Sequence, residues 1–242
     1  MALIIFDNLS DRDKSQSVEK LISESSPRQG FFLMIGLSVL MATFGLLLDS
    51  PAIIIGSMLI APLLYPLLSF SLGAVLFDFT LMGRSVYTIV KSTIMGVILA
   101  VFVASIFSIR GQIVTPEILG QTQFLLSYVF VAFIAGLAGS FVFVKPQHNE
   151  HLPGVAISVA LIPPIALIGI GIAWLDWRIV STSLILYVVN VLGVVAASIL
   201  VFSRMNLAEH RKVAIKAVKK EDKIIEKEIK SAEADQAKDE NH

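Results

Sequence analysis

Six apolar stretches, 31–48, 52–77, 86–109, 123–144, 152–173 and 179–202, take up most of the chain between two polar ends. At a rise of about 1.5 Å per residue and a hydrocarbon layer of about 30 Å, each is long enough to cross a bilayer as a helix. Lipid offers no partner for an open peptide group, so segments of this length must satisfy their backbone internally, as helices do. The composition agrees: 55% of residues are hydrophobic, 16% are charged and the mean hydropathy is +0.80, outside the range of an ordinary soluble domain. The sequence predicts an all-α polytopic membrane protein.

Turn and charge signals separate the stretches, at 49–51, 78–84, 110–117, 145–151 and 176–178. Lys91 falls inside the third stretch and is expected to snorkel toward a nearby interface. Counting Lys and Arg near the span ends puts Arg12, Lys14, Lys20, Arg28, Arg84, Lys145, Arg204 and the basic residues after it on one side, and only Arg110 and Arg178 on the other. The asymmetry orients a six-span chain with both termini cytoplasmic in the cell membrane. Trp174 and Trp177 are then expected at the outer interface.

The division is a cytoplasmic segment 1–29, a spanning domain 30–203 and a charged cytoplasmic tail 204–242. Nothing before Phe31 resembles a cleavable signal peptide, so the N-terminus is read as mature. Val18, Leu21 and Ile22 predict a short interfacial helix ending near Pro27. In the tail, Ile215, Val218, Asp222, Ile225, Ile229 and Ala232 follow a 3,4,3,4,3 spacing. That spacing suits a short coiled coil joining copies of the chain, and equally an amphipathic helix lying on the membrane surface.

Several function classes find no support. Cysteine is absent, which removes disulfides, thiolate metal sites and cysteine nucleophiles. His148, Glu150 and His151 share one loop at a spacing that suits a solvated turn better than a metal site. No hydrolase nucleophile motif is present, no cofactor or nucleic-acid partner is expected, and the chain is read as a non-enzyme whose surroundings are membrane lipids. No Asp, Glu or His falls at the midpoint of a span, so the carboxylate or imidazole of a proton relay is missing.

The feature that calls for a function is the stretch "GSMLIAPLLYPLLSFSLG", 56–73, with Pro62 and Pro66 deep in an apolar run. Proline deletes an N–H and clashes with the carbonyl four residues earlier, leaving carbonyls near Met58 and Leu59 in need of partners. In lipid such groups cost several kcal/mol unless protein or water meets them. A second stretch, "PGVAISVALIPPIA" from Pro153, aligns with "PAIIIGSMLIAPLL" from Pro51 at an offset of 102 residues, pairing Pro51 with Pro153 and Pro62 with Pro164. This register predicts two three-span repeats, 31–109 and 123–202, with Pro-broken second and fifth helices. Three is odd, so the second repeat enters the membrane in the opposite sense, the arrangement that places a solute site near the midplane in many secondary transporters.

Three segments together resemble the bacterial and archaeal membrane family known as domain of unknown function 389: "IGSMLIAPLLYPLLSFSLGAVLFD" (55–78) followed by Arg84 and Ser85, "PGVAISVALIPPIALIGIGIA" (153–173), and "LILYVVNVLG" (184–193). The resemblance implies a multi-span membrane protein and supplies no substrate. Members often carry a small residue before the second proline of the first segment, where this chain has Tyr65, a change that bears on the width of any cavity there. Asn190, near the centre of the sixth span, matches the family's asparagine position.

An amide at that depth must find partners, and carbonyls of a broken helix would serve. The candidate substrate-binding residues are therefore Ser57, Pro62, Tyr65, Pro66, Ser158, Pro163, Pro164 and Asn190. Each has a plainer use as kink, packing contact or interhelical hydrogen bond. Two readings stand: a transporter or channel-like protein for a small neutral or anionic solute, and a membrane-anchored assembly or signalling scaffold acting through the C-terminal helix. A cavity reaching Pro62 and Pro164 favours the first; a sealed interface favours the second.

Overall fold

The computed structural model describes residues 11–107, 115–121, 126–144, 161–205 and 211–239. Among these residues the chain is all helix: α1 (Asp11–Glu24), α2 (Gln29–Leu47), α3 (Pro51–Ile60), α4 (Leu64–Leu76), α5 (Phe79–Phe107), α6 (Pro116–Gln121), α7 (Leu126–Val144), α8 (Ile162–Trp174), α9 (Trp177–Arg204) and α10 (Arg211–Asp239). Three of them, α2, α5 and α9, are long and apolar enough to cross a membrane, and the bent pair α3 and α4 makes a fourth if counted as one span. Helices α7 and α8 are apolar but shorter in their spanning portions. Large apolar side chains stay exposed along α5 (Ile94, Ile98, Phe102), α7 (Phe130, Ile134) and α9 (Leu184, Ile185, Leu192). A surface of that kind is unfavourable in water and favourable in lipid.

Helix α8 is apolar on every side, and a helix of that kind belongs in the interior. Residues 161–171 are all buried, with α2, α5 and α9 packed around them. Small residues allow the close approach. A methyl group added at Gly169 would sit 2.4 Å from Ala100 Cβ and 2.9 Å from the Val97 carbonyl oxygen of α5. On α7, Ala132, Gly136 and Ser140 recur every fourth residue and face α9: a methyl at Gly136 would meet Val194 Cα at 2.7 Å, and Ser140 Oγ lies 2.8 Å from Ser198 Oγ. Spaced small residues of this kind let spanning helices associate by dispersion and hydrogen bonds where no hydrophobic force acts between them.

Three helix corners share one geometry that the sequence reading did not identify. The Gly45, Gly73 and Gly171 carbonyls accept N–H bonds from Ser50, Asp78 and Asp176, each at 2.9 Å. Asp49, Phe77 and Leu175 precede those donors in the left-handed region, at φ 54°, 52° and 58°. This is the six-to-one bond of a Schellman ending, with a non-glycine in the left-handed seat. The next helix then passes so near that a methyl at the three glycines would lie 3.0, 3.1 and 3.0 Å from the backbone nitrogens of Ile54, Met82 and Val180. Asp78 Oδ1 accepts from Leu81 N at 3.0 Å, and Asp176 Oδ1 from Arg178 N at 2.9 Å, so each carboxylate caps the helix it begins. A left-handed seat costs an L residue about 1–2 kcal/mol that glycine largely avoids. Leu175→Gly is therefore expected to raise stability by about 0.5–1 kcal/mol and Leu175→Ala to give no such gain, read as the unfolding midpoint of the purified protein.

The corners also recur at a fixed spacing. An offset of 98 residues carries Gly73 onto Gly171, Phe77 onto Leu175 and Asp78 onto Asp176, and it aligns the two 13-residue helices α4 and α8. Pro66 and Pro164 then share the third position of their helices, whereas Pro62 lies in the link before α4. The first part of the predicted fifth span, including Pro153, lies outside the described residues.

Other expectations shift as well. Val18, Leu21 and Ile22 are buried where α1 packs against α4, α7 and α10. Trp177 is exposed but Trp174 is buried in protein. Lys91 Nζ lies 4.5 Å from the Phe32 ring centre at the start of α2 and 5.5 Å from that of Tyr87. In α10 the buried face is Ala214, Ala217, Val218 and Glu221, against α1, while Ile215 and Ile229 of the proposed seam are exposed. Asp222, read as a seam residue, pairs with Arg84.

Candidate functional site

Helices α3 and α4 meet at a 48° bend across residues 61–63. The cause is local. Pro62 has no N–H for the Met58 carbonyl, and Ala61 turns extended at φ −76°, ψ 121°. The backbone recovers when Tyr65 N bonds to the Pro62 carbonyl at 3.3 Å. Part of the loss is met from α2: Ser38 Oγ donates to the Ser57 carbonyl at 2.6 Å, and Ser57 Oγ donates back to Ile54 O at 2.6 Å. Both serines are fully buried, and the Ser57 hydroxyl is engaged within the break.

A pocket of about 450 Å³ reaches this break. Phe31, Met34, Ile60 and Pro62 make its apolar floor, and Ser23, Glu24, Ser26, Arg28 and Glu228 make a polar mouth supplied by the end of α1, the turn into α2, and α10. The Arg28 guanidinium is held by Glu221, at 3.0 Å from Nε and 2.5 Å from Nη2. Arg84 reaches Ser26 Oγ at 3.2 Å and Val218 O at 3.3 Å beside its pair with Asp222, so α10 is fastened across the mouth from two sides.

The predicted site residues are only partly brought together. Pro62 lines the pocket. Tyr65 is half-buried with its ring edge-on to Phe143 of α7, centroids 6.3 Å apart, and Pro66 is buried. Pro163 and Pro164 are buried in the first turn of α8, where a missing N–H costs nothing. Asn190 is buried on α9, and Ser92, its counterpart at the 98-residue offset, is buried on α5. Nearby, Tyr187 Oη meets Thr93 Oγ1 at 2.7 Å and bridges α9 to α5. Ser158 and the His148, Glu150 and His151 loop lie outside the described residues. Among the described residues no three His, Asp or Glu side chains converge as a metal site.

Two interhelical contacts exchange partners at the 98-residue offset. Ser71 Oγ of α4 donates to the Val195 carbonyl of α9 at 3.4 Å. A methyl at Gly169 of α8, the position matching Ser71, would face the Val97 carbonyl of α5, the position matching Val195.

A model of the family described as a domain of unknown function, DUF389, matches residues 58–196. The chain belongs to this family. Among curated relatives, the Uncharacterized protein MJ0678 of Methanocaldococcus jannaschii is 30% identical over 181 residues, which is 74% of this chain and 55% of that protein. The chain thus spans about half the length of the curated relative it matches. No solved structure matches it. The family match runs from the last turn of α3 into α9, so it contains the pocket floor at Ile60 and Pro62 and also Asn190. The mouth residues Ser23, Glu24, Ser26, Arg28 and Glu228 fall outside it, on elements that sequence reading had assigned to the periphery. Their only signal was Arg28, a charge directly before the first span.

Proposed function

We propose that the protein is a multi-pass cell-membrane transporter or channel-like protein for a small uncharged solute, without enzymatic chemistry. In this reading six spans form two three-span units of opposite orientation around the broken second and fifth helices, and both termini are cytoplasmic. The observation that carries the proposal is the polar-mouthed pocket ending on the Pro62 break. Broken backbone at membrane depth is tolerated where protein or water meets it, and this break has both Ser38 and an open approach. The exchanged contacts, Ser71 with Val195 and Gly169 with Val97, support an internal two-fold relation, because such an axis pairs each contact with its mirror across the interface.

The mouth chemistry narrows the solute. Glu24 and Glu228 stand there unaccompanied by a free guanidinium, since Arg28 is engaged with Glu221. Of the neutral and anionic classes, a neutral solute suits that field better. Deeper along α4, Ser69 Oγ is buried without a hydrogen-bond partner and is available to a hydroxyl or amide.

The chain has no cysteine, so Ile60→Cys is a clean reporter. A small membrane-impermeant maleimide is expected to modify it in proteoliposomes from the side carrying α1 and α10, and to leave Ile98→Cys on the lipid face untouched. With glycerol as the neutral probe, stopped-flow light scattering should show protein-dependent flux that Asn190→Leu abolishes while assembly stays intact. An unreactive Ile60→Cys in folded protein would defeat the transport reading. The chain would then stand as a membrane-anchored scaffold recruiting partners, or further copies of itself, through the exposed Ile215 and Ile229 of α10.

A further inference from the structure

A second groove, about 680 Å³, runs along the outer face of α5 and is almost wholly apolar, walled by Val86, Val90, Ile94 and Ile98. The lining runs from Gly83 to Leu99, with Lys91 midway along it and Tyr87 one turn before. Lys91 Nζ rests between the faces of Phe32 and Tyr87, at 4.5 and 5.5 Å from the ring centres. Among the described residues the ion pairs are Arg28 with Glu221, Arg84 with Asp222 and Lys230 with Glu226, so this ammonium has no carboxylate of its own. An unpaired cation at the edge of hydrocarbon is costly, and ring faces offset only part of the lost hydration. Among the described residues no anion meets it.

The geometry says where an anion would come from. Arg84, on the same helix, contacts α10 and Ser26, which the proposed topology puts on the cytoplasmic side, and Lys91 lies seven residues further along, about 10 Å on the axis. From Lys91 to Ile98 the groove continues for another stretch of about 10 Å, within the ~15 Å depth of one leaflet. A cation at headgroup level above an apolar channel within one leaflet's depth matches a lipid with a negative headgroup. We propose that the α5 groove binds an anionic phospholipid, its phosphate on Lys91 and the Tyr87 hydroxyl, its acyl chain along Val90, Ile94 and Ile98. The proposal depends on the bilayer placement of α5 and not on transport.

The test uses the full-length protein in a neutral detergent, with phosphatidylglycerol and phosphatidylcholine of identical acyl chains, read by native mass spectrometry. Wild type is expected to retain phosphatidylglycerol about fivefold over phosphatidylcholine, the factor one basic residue near a membrane surface provides. Lys91→Gln should remove that preference and Lys91→Arg keep it, while Ile94→Trp, which fills the channel, should reduce binding of both lipids. Millimolar inorganic phosphate should not displace the lipid, since it lacks the acyl chain. An unchanged preference in Lys91→Gln would overturn the proposal, as would displacement by free phosphate. Disulfide-linked dimers from Ile98→Cys would overturn it in favour of a second copy of the chain covering this face.

Discussion

Gly169→Ala is expected to lower the stability of the folded protein by about 2–3 kcal/mol, the upper part of the overpacking range. The added methyl would lie 2.4 Å from Ala100 Cβ and 2.9 Å from both Val101 N and Val97 O. The last two are backbone atoms of α5, so no rotamer change relieves the contact and the helices must separate. Their separation would be felt widely, because α8 lies among α2, α5 and α9 with residues 161–171 buried. Gly83→Ala on α5 is the matched control: nothing stands within 4 Å of its added methyl, and alanine is the better helix former by about 1 kcal/mol. Thermal unfolding of both variants in the same detergent should move in opposite directions. A Gly169→Ala protein as stable as wild type would mean that α5 and α8 are not in backbone contact.

The sequence made some of this architecture plain and hid the rest for identifiable reasons. Apolar runs long enough to span have one cheap solution, so α2, α5 and α9 were readable from length alone. The break at Pro62 was readable because proline's lost donor is a local fact. The apolar identities at offset 102 come from a small alphabet, so they constrain a repeat register only weakly. The corners, whose Gly-x4-Ser or Gly-x4-Asp spacing recurs at Gly45, Gly73 and Gly171, hold the geometric information. Asn190 was found as a polar group in an apolar helix, and its burial follows from the same argument. Of the pocket mouth only Arg28 left a signal in the sequence. Glu228 and Arg28 meet only because α10 folds back onto α1, and no local pattern encodes a pairing between positions 28 and 221. Of the heptad positions of the tail Val218 is buried, whereas its partners on the buried face, Ala214 and Ala217, are small and unremarkable in sequence.

That fold-back leads to the second large effect. Arg28→Ala is expected to destabilise the docking of α10 by about 2–3 kcal/mol, because it strands a carboxylate that has little water of its own. The Glu221 side chain is 6% exposed while Arg28 is 33% exposed, so the penalty falls on the acid left behind. Arg84→Ala should cost less than about 1 kcal/mol of the Asp222 pairing, since the Asp222 side chain is 61% exposed and water can replace the guanidinium. Glu221→Gln in the Arg28→Ala background should recover much of the loss, because a neutral amide is cheaper to bury than an unpaired charge. Hydrogen exchange over 211–221 reads the docking directly: fast exchange in Arg28→Ala, near wild-type protection in Arg84→Ala, and intermediate protection in the double variant. Because Glu228 lies on the same helix and lines the pocket that reaches Pro62, undocking α10 should also speed maleimide modification of Ile60→Cys. If Arg28→Ala leaves both exchange and modification unchanged, the Arg28 to Glu221 pair does not fasten α10 over the pocket, and its packing on α1 through Ala214, Ala217 and Val218 suffices.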